Sequence, residues 1–374
     1  MHNNKLGAVE GVRGWACLVA FMSHVMFTFY PYVHGLRPRG YQPSSKEEFL
    51  FNSPFSFFFS GSAAVFVFFV LSGYILTYVI CKGDQPRRVA ELSIKRYPRL
   101  VIPAIASCIL SLLIIDYAKP DASLVSGFAQ GFGKFETSLL SSIIDGGYTT
   151  FFIGGHGLYN WVLWTMKIEL IGSFILFFTC LLANYSKYRF VAAIIALAAI
   201  YFLVDNPTEK FGYIAFIIGF LIHDHGKRTT GSSQFILLAI GLYLAGFHAN
   251  SNSYSFISTV LGANTGLISY TLSASLIVYS VLMGDLLNLS LSNKLSLLLG
   301  KLSFSIYLTH LPILFSVGVY VFNVTSESFG RFESAALATF TSLVATIFVS
   351  LIFQKAVDNP SMRFSGFLSR AIIK

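Results

Sequence analysis

Long apolar stretches separated by short polar segments make up most of this 374-residue sequence. A helix that crosses the hydrocarbon core of a bilayer needs about 20 mainly apolar residues, and ten stretches meet or approach that length. They are residues 8–30, 57–80, 98–117, 161–183, 189–204, 211–223, 234–249, 265–283, 302–322 and 336–355. The pattern therefore predicts an all-α integral membrane protein with about ten transmembrane helices.

Two parts of this pattern leave alternatives open. The stretches 189–204 and 211–223 are short and flank the polar sequence NPTEK, so they are also compatible with one helical hairpin. Residues 118–160 form a long connection rich in Gly, Ser and Phe. This connection is too polar for a clear span and is compatible with a re-entrant or interfacial helix.

Composition and charge placement agree with a membrane location. Hydrophobic residues make up 55% of the chain and charged residues 11%, whereas soluble domains carry about 25% charged residues. With the N-terminus in the cytoplasm, 17 of the 26 Lys and Arg residues fall on the cytoplasmic side and seven on the other. Since basic residues concentrate in cytoplasmic loops, both termini are predicted to be cytoplasmic. The formal charge of +9 then needs no nucleic-acid partner to explain it.

The chain is interpreted as one membrane domain over residues 1–360, followed by a basic cytoplasmic tail over 361–374. Glu10 and Arg13 interrupt the first apolar stretch, so we expect the N-terminus to be retained and not cleaved as a signal peptide. The four cysteines lie in or beside apolar stretches without paired spacing. They indicate small buried side chains, and no disulfide or metal site is predicted.

The first stretch carries two ionisable residues in the sequence EGVRGWACLVAFMSH. Arg13 and His24 are eleven positions apart, which is close to three helical turns and about 16 Å along the axis, so both point to one face. A charged residue at this depth costs at least about 2.5 kcal/mol and usually faces a bundle interior or an aqueous cavity. A snorkelling Arg13 and an interhelical hydrogen bond from His24 are the structural alternatives.

The sequence NWVLWTMKIEL places Glu169 about 12 Å below the outer surface, a depth similar to that of His24. A carboxylate near a histidine fixes the tautomer of the ring and raises its basicity, which makes a general base. We therefore expect Glu169 to orient His24, with a structural hydrogen bond as the alternative. Lys167 lies on a different face and is expected to snorkel or to pair elsewhere.

Clustered basic residues precede the third stretch in IKRYPRLVIP. Lys95, Arg96 and Arg99 are candidates for binding phosphates, because guanidinium groups clamp phosphate in a bidentate manner. An ordinary cytoplasmic anchor is the alternative.

The segment LGKLSFSIYLTH places Tyr307 and His310 within the ninth stretch, which indicates a polar interior or a buried structural histidine. His156 is a weaker candidate near the outer mouth. His34, His223, His225 and His248 are expected to be solvated.

These motifs resemble the membrane-bound acyltransferase family 3, whose members O-acylate extracytoplasmic sugars and related molecules. The resemblance rests on Arg13 and His24 followed in order by FFVLSGYIL (68–76), KRYPRLVIP (95–103), WTMKIE (164–169) and SFSIYLTH (303–310). It implies a ten-helix fold, acyl-CoA as the donor, and functional residues at Arg13, His24, Arg96, Arg99, Glu169, Tyr307 and His310. Glu10 and Trp164 are added as supporting residues.

The sequence departs from the family pattern at four positions. Glu10 stands for a common aspartate, Thr165 for a serine, Lys167 for an uncharged residue and Asp358 for a glutamate. Many relatives also carry a C-terminal SGNH-type domain. Only about twenty residues follow the tenth stretch here, so we expect the membrane part to act alone or with a partner.

The resulting hypothesis is an O-acyltransferase of the bacterial inner membrane. It would move an acyl group, preferably acetyl, from cytoplasmic acyl-CoA to an extracytoplasmic or lipid-linked glycan, with the donor phosphates on Arg96 and Arg99. His24 would act as the base or as an acyl carrier. A proton-coupled transporter or flippase also suits intramembrane charges, and an inactive scaffold is a third interpretation.

Overall fold

The computed structural model describes residues 2–37, 41–155, 157–185 and 188–373, except for the side chains of residues 2–5. Within these ranges the regular structure is helical, and an isolated β-bridge joins Thr229 to Gly284. Seven helical segments there are long and apolar enough to cross a membrane: Leu6–Phe29, Gly61–Ile80, Gln85–Ala118, Trp161–Tyr185, Thr265–Met283, Lys294–Thr325 and Arg331–Ile372. The predicted class, an all-α integral membrane protein, is confirmed.

The described ranges contain seventeen α-helices. The first eight are α1 (His2–Phe29), α2 (Ser45–Asn52), α3 (Gly61–Ile80), α4 (Gln85–Leu113), α5 (Gly127–Gln130), α6 (Leu139–Ile144), α7 (Thr165–Tyr185) and α8 (Arg189–Leu203). The others are α9 (Pro207–His225), α10 (Ser233–Ala245), α11 (Ser255–Leu261), α12 (Thr265–Met283), α13 (Asp285–Leu291), α14 (Lys294–Ile313), α15 (Val319–Thr325), α16 (Arg331–Phe353) and α17 (Asn359–Ile372). Helices α1, α3, α4, α7 and α14 pack against one another at the centre of the bundle.

Helices α1 and α14 lie side by side and run in the same direction. The Cys17 thiol contacts the Ser303 carbonyl at 3.2 Å near their middle, and His24 contacts His310 near their ends. Both helices begin at the same end of the bundle, which we call the basic end. The name refers to Arg87, a basic residue in the first turn of α4 that lies at this end. The opposite end, which holds residues 30–37, 41–60, 119–155 and 157–160, is called the loop end.

Each of the ten predicted stretches contains a helix, and seven correspond to the long apolar segments. The other three coincide with α8, α9 and α10. Helices α8 and α10 are apolar but have only 15 and 13 residues, so the count of ten spans stays a prediction. The connection 118–160 contains α5, α6 and a π-helical segment at Asp145–Ile153.

Helix α4 begins at Gln85, thirteen residues before the predicted start at 98. Its first turns carry a charged face in which Glu91 pairs with Arg88 at 3.1 Å and with Lys95 at 3.7 Å. Such pairs stabilise a helix three or four residues apart, but they lower hydropathy, so the apolar pattern missed these turns. Pro98, the first residue of the predicted third stretch, therefore lies inside the helix.

The predicted tail over 361–374 begins inside the amphipathic helix α17, which packs against α4. Ser361, Ser365 and Ser369 form its buried face, whereas Phe364 and Phe367 are exposed. An exposed row of phenylalanines beside arginines is typical of a helix that lies in the membrane interface. The residues leading into α17 also form part of the cavity described below.

Helices α1 and α14 approach closely because glycines line their contact. A Cβ atom on Gly300 would lie 2.1 Å from the carbonyl oxygen of Glu10, and one on Gly14 would lie 2.6 Å from Leu299. Backbone atoms cannot swing aside as a flexible side chain can. This contact therefore fixes the distance between α14 and the part of α1 that carries Arg13.

We expect Gly300→Ala to lower the melting temperature of the detergent-solubilised protein, because the added methyl group must push α14 away from α1. Over-packing of this kind costs about 1–3 kcal/mol. Gly366→Ala is the matched control, since a Cβ there meets nothing within 4 Å in α17. Equal melting temperatures for the two variants would show that the glycine contact does not limit packing.

Candidate active site

A cavity of about 540 Å³ lies between α1, α3, α4, α7 and α14 in the half of the bundle nearer the basic end. Its walls combine aliphatic and aromatic side chains with a set of charged ones. The charged lining residues are Glu10, Arg13, Arg96, Arg99, Glu169, Lys301 and Asp358. Tyr307 also lines the cavity, so six residues singled out in the sequence meet here. An elongated molecule with an anionic part and an apolar part would suit such a site.

Arg96 and Glu169 form a mostly buried ion pair inside this cavity. Their closest nitrogen and oxygen atoms are 2.5 Å apart, and their side chains are 11% and 14% exposed. The Ser72 hydroxyl donates to the same carboxylate at 3.0 Å. The expected contact between Glu169 and His24 is therefore wrong. Similar depth in the membrane did not bring them together, because Glu169 points from α7 towards α3 and α4.

Arg99 and Lys301 are the cavity cations without an ion pair among the described residues, and Asp358, which lines the same cavity, is the nearby acidic residue that acts on Arg99. Among the described residues, neither has a carboxylate oxygen within 4 Å, whereas Arg13 pairs with Glu10 at 3.3 Å. Lys301 is one of the 17 basic residues assigned to the cytoplasmic side and was not predicted to belong to a site. Four basic and three acidic side chains line the cavity, and this excess of one positive charge makes it attractive to an anion.

Lys95 and Trp164, which were also singled out in the sequence, lie away from the cavity lining. Lys95 faces Glu91 on the charged side of α4. Trp164 packs against the hydrophobic core at the start of α7. Lys167 pairs with Glu209 at 2.7 Å, as expected from its position on a different face of the helix.

His24 and His310 form a direct pair beyond the loop-end side of the cavity. The Nδ1 atom of His24 lies 2.8 Å from Nε2 of His310, and the other ring nitrogen of His310 lies 3.0 Å from the Ile306 carbonyl oxygen. His310 is fully buried, whereas His24 is partly exposed. The sequence predicted both residues for a polar interior but did not predict that they are partners.

Tyr307 connects the cavity to this histidine pair. It lines the cavity, and its ring centroid is 5.9 Å from that of His310, one turn further along α14. Its hydroxyl donates to the Val162 carbonyl at 2.9 Å and lies 3.1 Å from the Thr165 hydroxyl. From Lys301 to His310 the axial distance is about 14 Å, so α14 spans the route from the free cations to the imidazoles.

Asn160 stabilises α14 where the helix is interrupted by proline. Pro312 has no N–H group and cannot bond the Leu308 carbonyl one turn earlier. The Asn160 amide donates to that carbonyl at 2.8 Å and to the Ser107 hydroxyl at 3.1 Å. This contact joins α4, α14 and the segment before α7 close to His310.

An aromatic cluster, which the sequence analysis did not identify, covers His24 from the loop end. Phe128 in α5 stacks on the His24 ring at 5.7 Å with an angle of 6°, and it also contacts Trp161 and Phe315. The Ser126 hydroxyl donates to the Phe27 carbonyl at 2.5 Å and ties this loop to α1. The repeated Gly and Phe in SGFAQGFG were the available signal.

The histidines predicted to be solvated make contacts with protein groups, among them His34 and His248. His34 stacks on Phe27 at 3.7 Å, and burial lowers the pKa of His34 to about 4, so it is neutral at pH 7. His248 contacts the carbonyl oxygens of Gly246 and Phe51. His156 lies outside the described residues.

The fold and site define a class of protein: a multi-pass helical membrane protein with a charged internal cavity and a histidine pair beyond it. The chain belongs to the acyltransferase-3 family, because the family model described as "Acyltransferase domain" matches residues 6–355. The resemblance stated from the motifs is thereby confirmed, and the protein is a membrane acyltransferase. No curated protein and no solved structure matches the chain.

Proposed function

We propose that this protein transfers an acetyl group from acetyl-CoA, bound at the basic end, to a hydroxyl group of an extracytoplasmic or lipid-linked glycan. The basic end would face the cytoplasm of a bacterial inner membrane, as the distribution of Lys and Arg predicts. The observation that carries the proposal is the cavity itself. It has an excess of basic side chains at one side, apolar walls, and a histidine pair beyond its other side.

The donor fits this arrangement by its chemistry. Arg99 and Lys301 are free to bind the phosphates of CoA, and the apolar walls suit the pantetheine arm and the acetyl group. Arg96 already pairs with Glu169, and Lys95 lies outside the cavity. We therefore transfer the phosphate-binding role expected of Arg96 and Lys95 to Arg99 and Lys301, and assign Arg96 and Glu169 to shaping the cavity.

The chemical step follows from the reactivity of a thioester. The acceptor hydroxyl oxygen forms a bond to the thioester carbonyl carbon, His24 takes the hydroxyl proton, and the carbon–sulfur bond breaks. His24 then returns the proton to the departing CoA thiolate. In the runner-up mechanism His24 first takes the acetyl group, and the acceptor hydroxyl then receives it from the ring nitrogen.

The test is an assay in inverted membrane vesicles that contain the protein and its host glycans. Acetyl-CoA labelled in the acetyl group is supplied to the outside of the vesicles, and label covalently attached to glycan in the lumen is measured. We expect labelled glycan only with active protein and acetyl-CoA. Solute transport that needs no CoA, with no covalent label, would contradict the proposal and favour a transporter or flippase.

Arg99→Gln should raise the KM for acetyl-CoA by at least about tenfold, because a hydrogen bond to a charged phosphate contributes about 1.5–3 kcal/mol. Initial rates over a range of acetyl-CoA concentrations give this value. Lys95→Gln is the matched control on the same helix, since Lys95 does not line the cavity.

Acetyl-pantetheine, which lacks the phosphates of CoA, separates phosphate binding from a general disturbance of the cavity. With this donor the wild type and the Arg99→Gln variant should have similar KM values. An equal loss of affinity for both donors would contradict the assignment of Arg99 to the phosphates.

A further inference from the structure

We propose that His310 is a positioning residue that fixes the tautomer of His24 and leaves its Nε2 atom unprotonated. This inference rests on the proposed function, since it gives the mechanism its reacting atom. It concerns the hydrogen-bonded chain from the Ile306 carbonyl through His310 to His24.

The chain has a defined starting point. The Ile306 carbonyl oxygen can only accept, so the Nδ1 atom of His310, 3.0 Å away, carries a hydrogen. A neutral imidazole has one donor nitrogen and one acceptor nitrogen. His310 is fully buried, and a lone charge in such a place is costly. In the neutral ring, Nε2 of His310 is therefore the acceptor.

The tautomer of His24 follows from that acceptor. The two rings approach at 2.8 Å through Nδ1 of His24 and Nε2 of His310. One hydrogen must lie between these nitrogen atoms, and it belongs to His24 because the His310 atom has none. The neutral His24 ring then has its lone pair on Nε2.

The environment of the pair separates the roles of its two members. His310 has no exposed surface and cannot touch a substrate, whereas His24 is partly exposed. Phe128 stacks on the His24 ring and the His310 bond restrains it at its edge, so both the plane and the rotation of the ring are fixed. In the described part of the chain no hydrogen bond to Nε2 of His24 is found, which leaves that atom for the acceptor hydroxyl.

The proton balance of the proposed step agrees with this arrangement. Nε2 of His24 receives the acceptor proton as the new carbon–oxygen bond forms, and the Nδ1 hydrogen stays in the bond to His310. When the CoA thiolate leaves, Nε2 gives the proton to it and the pair returns to its starting state. An imidazole with its hydrogen on Nε2 could not begin this cycle.

The direct test is the ¹⁵N spectrum of histidine-labelled protein in lipid bilayers, without substrate. The His24 signals are assigned by their loss in His24→Gln. We expect wild-type His24 to be protonated at Nδ1 and bare at Nε2. The opposite tautomer in wild-type protein would overturn the inference whatever the activity of the enzyme.

Two substitutions of His310 provide a matched pair. In His310→Gln the longer amide can place an oxygen near the former Nε2 position and accept from His24, whereas the shorter amide of His310→Asn reaches only towards Ile306. We expect His310→Asn to mix the tautomers of His24 and to lower kcat by about 10²–10³-fold, within the range of acid–base catalysis. His310→Gln should keep the tautomer and lose less than about tenfold.

The KM for acetyl-CoA should be similar in both variants, because His310 does not line the donor cavity. Equal losses in the two variants would show a packing role and overturn the inference. The wild-type spectrum still decides the matter if His310→Asn does not fold. If wild-type His24 has the expected tautomer but the protein transfers no acetyl group, only the proposed function is contradicted.

Discussion

Replacing His24 by glutamine should reduce acetyl transfer by about 10³-fold or more and leave the amount of folded protein in the membrane close to that of the wild type. General acid–base catalysis contributes about 10²–10⁴-fold, and glutamine has no nitrogen that can take up a proton at neutral pH. Glutamine is polar and close to histidine in size, so the fold should persist. Labelled glycan per folded molecule is the measurement.

His225→Gln is the control for this result. His225 lies at the end of α9 near the basic end, and its side chain is 49% exposed. The same substitution there should leave transfer unchanged. Normal transfer by the His24→Gln protein would refute its role as base and as acyl carrier. Labelled acetyl on wild-type His24 in the absence of acceptor would favour the carrier mechanism over direct transfer.

Breaking the pair between Arg96 and Glu169 should be the most destabilising change in the cavity. Removal of one partner from a buried ion pair costs about 3–5 kcal/mol, because the remaining charge is left uncompensated. We therefore expect Arg96→Gln and Glu169→Gln each to lower folded yield and melting temperature strongly. The double variant should lose less than the sum of the single losses.

The pair between Arg87 and Glu91 is the matched comparison for that experiment. Arg87 is 59% exposed and lies 3.5 Å from Glu91 on the same helix. Exposed pairs contribute about 0–1 kcal/mol, so Arg87→Gln should change stability little. Additive losses from Arg96→Gln and Glu169→Gln would contradict a direct coupling between the two side chains.

Hydropathy predicted much of this fold, because the backbone N–H and C=O groups of a chain inside a bilayer must form their hydrogen bonds within the protein. Only helices bond all their polar backbone groups within one segment, so each apolar stretch pointed to a helix. Hydropathy did not predict the first turns of α4, because they lie outside the apolar stretch. Those turns are helical through charge pairs around Glu91, which hydropathy scores as polar loop.

The site residues were partly accessible from the sequence. Counting residues along a helix gives depth, and depth correctly placed Arg13 towards the basic end and His24 towards the loop end. It does not give the direction in which a side chain points between neighbouring helices. Glu169 was therefore assigned to His24, whereas the structure pairs it with Arg96 and pairs His24 with His310.

The roles of other site residues depend on contacts between distant parts of the chain. In the sequence Lys301 indicated only which end of a helix is cytoplasmic. Its place in the cavity lining depends on how α14 packs in the bundle. Phe128 lies 104 positions from His24 in the sequence, and its stacking depends on how the loop folds back over α1. No periodic pattern records such a contact.

The ring of Phe128 also bears on how the enzyme would avoid wasting its donor. A thioester beside an unprotonated imidazole hydrolyses when water takes the place of the sugar hydroxyl. An aromatic side chain lying flat on His24 removes room for solvent on that face and offers none of the hydrogen bonds that would hold a water molecule. A sugar that approaches His24 from the loop end would therefore meet an aromatic surface on this side of the ring and not a layer of ordered water.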